Sequence, residues 1–372
     1  MKIIYVIETL DSCGGAENSV VNIALELKSR GHDVSIAFLH EPNHFVKILN
    51  NKQIEFICLN LKHRWDLVSC FFKLRKYLKR KNPEIVNAIN FFPMLYLSLA
   101  SIPGKKFKSF VTYHNLGYDS YPADTIYKTI RKKIDIFLNK NFINCHVAVS
   151  EAVGKSYQKH LKLKKINIIN NIIPIQNLLK YSKIPKKKNK IPKLIMVGRL
   201  IREKGYYYML EAAKILKKKN IAFVLSIYGD GILKNEIKKR IKENKSSKYI
   251  FIHKSIDHKI LFKKIRQSDI FVMSSTHEGL PVVLMEAMTI GTCIVATKAG
   301  GISELIKNQR TGILVPVRNE KKLALQIEKL LTNSNLQKKI SYNAQKRVLN
   351  DLTEDIITKS TIDLYKKQLQ IN

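Results

Sequence analysis

"STHEGLPVVLMEAMTIG", Ser275 to Gly291, sets two carboxylates, Glu278 and Glu286, around a stretch that otherwise reads as a buried helix. The residues leading into it, DIFVMSS (Asp269 to Ser275), form a short apolar run rich in β-branched and aromatic side chains, which predicts a buried strand. Pro281 suits the first turn of a helix and Gly291 its end. The unit is therefore strand, loop, helix. In an open α/β sheet, loops at the carboxyl ends of strands line the ligand crevice. The spacing of the acids puts Glu286 about a turn and a half beyond the helix start. An ionised carboxylate accepts hydrogen bonds and is repelled by phosphate, so the pair is read as gripping vicinal diols on either side of a diphosphate. On these residues alone a second reading stays open, with Glu278 complementing the helix dipole and Glu286 simply exposed.

The same alternation runs outward in both directions. In the first half, IIYVIE, DVSIAFL, IEFICL, EIVNAI, SFVTYH and CHVAVS predict strands, separated by helices that include ENSVVNIALELKSRG and stretches near 66–81, 94–100 and 123–140. In the second half the strands are KLIMVG, FVLSIYG, YIFIHK, DIFVMSS, CIVAT and TGILVP. Alternation of this kind means a parallel sheet wrapped by helices. Between Ile173 and Pro192 it fails, in a segment with three prolines and a lysine cluster. The expected fold is α/β, with two Rossmann-like doubly wound domains facing across a cleft: residues 1–173, a linker 174–192, and residues 193–350.

The chain has 372 residues, enough for two cores without disulfides. Its five cysteines, Cys13, Cys58, Cys70, Cys145 and Cys293, include no C-x-x-C pair, so neither a disulfide framework nor a zinc site is indicated, and a reducing cytoplasm fits. The opening MKIIYVIETL is too short an apolar run for a signal peptide, and no stretch reaches membrane-spanning length; NAINFFPMLYLSLASIPG is interrupted by Asn90, Pro93 and Pro103. The formal net charge is +37, with basic runs at Lys73–Lys81, Lys105–Lys108, Arg131–Lys133, Lys186–Lys190, Lys217–Lys219 and Lys238–Arg240. Three readings are open. Lysine can decorate solvated faces; basic stretches interleaved with aromatics, such as RWDLVSCFFKLRKYLKRK, can lie on anionic headgroups; or the charge can serve nucleic acid, although no zinc-finger or RRM signature accompanies it.

Two further loops carry chemistry. VGRLIREKG ends a strand with Arg199 and places Lys204 just before a helix starting near Tyr206. Two cations beside a helix amino terminus suit a diphosphate. YGDG, with Gly229 and Gly231, is by itself a weak phosphate-loop signal.

Taken together, STHEGLPVVLMEAMTIGTCIVATKAGGISELI and TGILVP closely resemble the retaining glycosyltransferases of family 4, marked by E-x7-E within E-G-[LF]-P and E-A-[ML]. The resemblance extends to VGRLIREKG, to GGAE (Gly14 to Glu17), to TYHN around His114, and to the closing DLTEDIITKSTIDLYKKQL, and so covers nearly the whole chain. It implies the GT-B architecture, with the nucleotide-sugar donor mainly on the second domain, the acceptor mainly on the first, and residues 351–372 as a tail helix crossing back to the first domain. It further implies that Arg199 and Lys204 neutralise the donor diphosphate, that Glu286 binds ribose, and that Glu278 with the backbone of Gly279 and Leu280 meets the donor sugar. His114 matches a family histidine near the reacting sugar, although a strand-end histidine satisfied by backbone is the plain alternative. Gly14 and Gly15 would let backbone approach donor or acceptor closely, as would a simple turn.

The chain departs from the family pattern at INNIIP, which keeps Asn171 but lacks a glycine and an aspartate, and at His253, where a glycine is usual. No D-x-D metal motif stands in a site-like context, in keeping with Arg and Lys serving in place of a metal, so no cofactor is expected. The resulting expectation is a metal-independent, retaining hexosyl or N-acetylhexosaminyl transferase. It would use a nucleotide-sugar, most simply a UDP-sugar, and extend a bacterial surface glycan or lipid-linked precursor from the cytoplasmic face of an anionic membrane, with no specific nucleic-acid partner. The alternatives are a binding-only homologue and a basic protein that binds nucleic acid or membrane surfaces.

Overall fold

The structure, a computed structural model, describes every residue except 13, 64, 103, 105, 121, 123, 187–189 and 372. Cys13, Pro103 and the lysines Lys105, Lys187 and Lys188 singled out above lie outside the described residues. The chain forms two compact units, Met1–Ile173 with Glu354–Asn372, and Pro174–Thr353.

The first unit contains β1 (Lys2–Ile7), α1 (Gly15–Ser29), β2 (Asp33–Phe38), α2 (Val46–Asn51), β3 (Glu55–Cys58), α3 (Leu67–Lys81), β4 (Ile85–Ile89), α4 (Phe91–Ala100), β5 (Lys108–Tyr113), α5 (Ile126–Phe142), β6 (Cys145–Ala148), α6 (Glu151–Leu161) and β7 (Asn167–Ile168). Its strands lie in the order β3-β2-β1-β4-β5-β6-β7, all parallel. Ile3 through Ile7 are buried without alternation, because helices cover both faces of a parallel sheet. The register Ile3↔Ile85 between β1 and β4 marks the point where strand order reverses. Pro93 falls in the first turn of α4, where its missing N–H leaves no bond unmade, so it starts that helix and does not break it.

The second unit begins with α7 (Ile175–Ser182) and continues through β8 (Lys193–Val197), α8 (Tyr206–Lys218), β9 (Val224–Tyr228), α9 (Lys234–Glu243), β10 (Ile250–His253), α10 (His258–Gln267), β11 (Ile270–Met273), α11 (Val282–Ile290), β12 (Cys293–Thr297), α12 (Ile302–Leu305), β13 (Ile313–Val315), α13 (Glu320–Leu331) and α14 (Ser334–Asp351). Six parallel strands run β10-β9-β8-β11-β12-β13, reversing between β8 and β11. The linker expected over 174–192 is helical in its first part. Within α7, Ile175 and Leu178 are buried and Tyr181 meets Phe262 of α10 edge-on at 5.3 Å. The three-residue step between Ile175 and Leu178 is a helical spacing that the prolines and lysines downstream of it obscured.

The tail is α15 (Glu354–Leu369), which belongs to the first unit. Tyr365 on it is fully buried, packs edge-on to Phe110 at 4.8 Å, and pairs its hydroxyl with that of Tyr5 at 3.1 Å. Asn87 donates to the same hydroxyl at 3.0 Å and accepts from Thr112 at 3.0 Å, so one polar chain links α15 to β1, β4 and β5. Among the described residues Cys58, Cys70, Cys145 and Cys293 are free thiols, and no helix is long and apolar enough to cross a membrane.

Replacing Tyr365 by Phe keeps the ring and strips the hydroxyl on which Tyr5 and Asn87 converge. The expected loss is about 1–2 kcal/mol in urea denaturation, the cost of buried polar groups left short of a partner. An unchanged midpoint would show that this polar chain does not hold the tail helix.

Candidate functional site

In the second unit the loops that leave β8 and β11 meet at the reversal of strand order. The β8 loop is fixed from beside by the β9 loop: Leu200 N–H donates to Asp230 O at 2.7 Å and Leu233 N–H to Leu200 O at 2.9 Å. Gly229 explains the YGDG motif structurally. At φ +157° a Cβ there would lie 2.0 Å from Gly198 O, so the residue lets two loop backbones touch. Gly205, in the left-handed region at φ +62°, does the same for the β11 loop, where a Cβ would meet Ser274 O at 2.0 Å. Ser274 Oγ donates to Gly205 O at 2.9 Å and Thr276 N–H to Glu203 O at 2.7 Å, which locks the two loops in register.

That locking sets the chemistry. Lys204 Nζ lies 2.7 Å from Glu278 Oε1, and Ser275 Oγ donates to the same oxygen at 2.7 Å. The pair is mostly removed from solvent, with side-chain exposures of 20% for Lys204 and 9% for Glu278. The Glu278 carbonyl accepts from Gly301 N–H at 3.2 Å, which ties the loop to the segment after β12. Tyr206 donates its hydroxyl to Gly198 O at 2.8 Å, and burial, reinforced by the Glu278 charge, holds its phenol well above the usual range. Met196, Val197, Lys204, Tyr206, Met273 and Ser275 line a small hollow here. Arg199 stands exposed on the β8 loop with no ion-pair partner among the described residues. Gly279 and Leu280 are buried behind Glu278.

Glu286 sits about one turn into α11, which starts at Val282 after the N-cap Pro281 and ends at Gly291 in the left-handed conformation. It is buried, and not exposed on the helix. Burial pushes its carboxyl up to about 7 against the opposing effect of His258. Near neutrality it is therefore poised between accepting two hydrogen bonds and donating one.

The first unit carries the remaining expected residues. His114 follows β5, and its N–H donates to the Asn90 side chain at 3.0 Å, with Asn90 itself at φ +62° after β4. A side-chain amide, not backbone, thus satisfies the main-chain N–H of His114. The Asn171 side chain lies beside its ring, while Nδ1 is buried without a hydrogen-bond partner and the residue lines a hollow shared with Tyr5, Asn87, Thr112 and Tyr365. Burial drives the imidazole down to about 4, so the ring is neutral at pH 7. Gly14 is the N-cap of α1 and Gly15 its first residue. A Cβ on Gly14 would lie 1.9 Å from Glu17 Oε2, the carboxylate of an acid in the helix's own first turn.

Arg199, Lys204, Glu278, Gly279, Leu280 and Glu286 all belong to the second unit, and Gly14, Gly15 and His114 to the first. Sequence reasoning did not reach Ser275, Gly205, Tyr206 or Asn90. Of these, Gly205 had a readable signal, a glycine directly between Lys204 and a helix start.

The chain matches the family described as Glycosyltransferase Family 4 over residues 13–177 and that described as Glycosyl transferases group 1 over residues 179–347. It is 27% identical over 357 residues to the GalNAc-alpha-(1->4)-GalNAc-alpha-(1->3)-diNAcBac-PP-undecaprenol alpha-1,4-N-acetyl-D-galactosaminyltransferase of Campylobacter jejuni, covering 93% of each chain. Among solved structures, a glycosyltransferase from Rickettsia africae superimposes with a TM-score of 0.80 at 22% identity, over 100% of this chain and 99% of that one. HepE of Anabaena in complex with UDP-glucose gives 0.83 at 17% identity, over 99% and 100%. With both sheets parallel, both halves matched and the E-x7-E acids on the loop and helix after β11, the chain belongs to the group 1, family 4 glycosyltransferases of GT-B fold.

Proposed function

We propose that the protein moves a hexosyl or N-acetylhexosaminyl group from a UDP-sugar, with retention of anomeric configuration, to a bacterial surface glycan or its lipid-linked precursor. The observation that carries this reading is the Lys204–Glu278–Ser275 cluster at the β8/β11 reversal, with Arg199 exposed on the same β8 loop. The Campylobacter jejuni relative is named for an undecaprenol-diphosphate-linked substrate, and Anabaena HepE is seen with UDP-glucose, which supports this donor and acceptor chemistry.

In the proposed reaction the bond between the anomeric carbon and the diphosphate oxygen breaks, and its electron pair leaves with UDP. Arg199 and Lys204 offset the charge that grows there, which requires no metal. The acceptor hydroxyl attacks the same face of the sugar, and its proton passes to the departing phosphate oxygen. Glu278, released from Lys204 when the diphosphate takes the cation, accepts sugar hydroxyls and lies on the side of the developing positive charge. Glu286 takes the ribose diol. Neutral His114, matched to a histidine near the reacting sugar, serves the chemical step as a catalytic hydrogen-bonding group. The setting is the cytoplasmic face of an anionic membrane, toward which the +37 charge draws the protein.

The two acids are separable. Glu286→Gln is expected to weaken UDP and UDP-sugar by a similar factor, about 10- to 100-fold, the value of a lost charged hydrogen bond. Glu278→Gln should leave UDP affinity equal or tighter, because Lys204 loses its internal competitor, and should cut turnover of the sugar-bearing donor. Calorimetry with UDP and with a panel of UDP-sugars, alongside turnover, checks both; parent-like behaviour of both variants would remove the assignment, and donor binding without turnover by the parent would favour a binding-only homologue.

Activity should persist in EDTA. Loss on chelation with recovery on adding Mn²⁺ or Mg²⁺ would show that the two cations do not suffice for the diphosphate.

Glu286 also gives a pH signature. Its folded pKa, about 7, lies above the ordinary 4.5, so the folded state holds the proton more tightly and stability falls as pH rises from about 4.5 to 7, then levels. Relative to Glu286→Gln, the ligand-free parent should lose roughly 2–3 kcal/mol between pH 5 and pH 8. Parallel urea midpoints for the two proteins across that range would contradict the burial of this carboxyl.

A further inference from the structure

We propose that the outer face of α3 and α5 in the first unit is a docking surface that inserts side chains into an anionic lipid bilayer. The inference deepens the membrane setting proposed above and rests on it for the nature of the partner. What it adds is the outward apolar face of α5, its continuity with α3, and insertion as the mode of contact.

The residues of α5 are arranged inside out. Its buried positions include Asp135 and Asn139, while Ile126, Tyr127, Ile130, Ile134 and Phe137 face solvent, with Ile126 82%, Ile130 53% and Phe137 58% exposed. Steps of four and three residues place these side chains along one stripe of the helix. An ordinary surface helix would turn that stripe inward. Here the inward face is held by polar bonds: Tyr118 donates to Asp135 at 2.7 Å, Asn139 donates to Asp135 at 2.7 Å, and Tyr113 donates to Asn139 at 2.5 Å. The helix therefore cannot roll to hide its apolar stripe without breaking a buried network.

The stripe is continuous with a second one. Trp65 meets Tyr127 at the head of α5 at 6.0 Å and Phe92 of α4 at 5.3 Å, both edge-on. On α3, Val68 and Phe72 follow Trp65 at helical spacing and are 71% and 65% exposed. Cations flank the apolar area. Lys76 and Lys79 on α3 and Lys133 and Lys140 on α5 are exposed, with no ion-pair partner among the described residues. The residues of α3 include no acid, and the single acid of α5, Asp135, is buried.

Apolar and aromatic side chains ringed by unpaired lysines match an interfacial surface, where the chains enter the acyl boundary and the ammonium groups meet phosphate headgroups. A second copy of the chain is the poorer occupant, since a self-paired contact would set these lysines against each other in a protein already at +37.

The chain has one tryptophan, and it lies in this surface. Vesicles of phosphatidylglycerol and phosphatidylcholine should therefore shift Trp65 emission to the blue, and brominated acyl chains should quench it. Pure phosphatidylcholine should do neither at low salt. The triple variant Phe72→Ser, Ile130→Ser, Phe137→Ser changes exposed positions and should lower binding to anionic vesicles at least about 10-fold; Lys76→Glu, Lys79→Glu, Lys133→Glu should do the same and flatten the salt dependence. Both should keep the parent's affinity for UDP, so loss of vesicle binding is distinguished from failure of the donor-site reading. Cosedimentation with vesicles while Trp65 emission stays unchanged, or undiminished binding by the serine variant, would overturn the proposal. A dimer in sedimentation velocity that the serine variant abolishes would overturn it in favour of self-association.

Discussion

Strand order reverses once in each sheet, between β1 and β4 and between β8 and β11. In a parallel sheet with right-handed crossovers, that reversal sends successive helices to opposite faces and leaves a gap above the two central strands that no helix covers. Several of the expected site residues stand on or next to the loops at those reversals. In the second unit the β8 and β11 loops supply a lysine, a glutamate and a serine in mutual contact. In the first, the β1 loop supplies the amino end of α1, and Asn90, at the end of β4, holds the main chain of His114.

The gap alone does not make a site; the loops over it have to be held. Glycine is the means in the second unit, because at Gly205 and Gly229 any side chain would collide with the backbone of the neighbouring loop. In the first unit the means is side-chain amides. Asn87 and Asn90 extend from β4 to Tyr365 and His114, and Asn171 lies beside the His114 ring. Backbone-to-backbone contact suits a loop that must resist a charged ligand, whereas amides in a partly hollow region keep a neutral imidazole oriented where burial has removed its charge.

The parallel sheets were legible in the sequence because buried strands are short, continuous apolar runs bounded by turn residues, as in DIFVMSS and CIVAT. The loop acids and cations were legible as types at a spacing, and their partners were not. Nothing local says that Ser275 bonds Glu278 or that Lys204 reaches it across 74 positions of sequence. The burial of Glu286 was missed for a related reason: a lone acid in an apolar helix reads as exposed unless the covering elements are known. The helix α7 went unread because its apolar step is too short to outweigh the prolines after it, and the inverted face of α5 because periodicity reports a stripe without reporting which way it points.

The contact between Lys204 and Glu278 makes the site its own counter-ion. A ligand that offers only an anion would draw the lysine away and leave a poorly hydrated carboxylate with its Ser275 bond but without its counter-ion; one that offers only hydroxyls would have to prise the carboxylate from its ammonium. Each half by itself meets resistance from the interaction it breaks. A molecule bearing both, with the right distance between them, exchanges one paired arrangement for another. On the proposed donor assignment, small anions and free sugars would be disfavoured without any steric gate, and a ligand that lost one of its two halves would lose the grip that held the other.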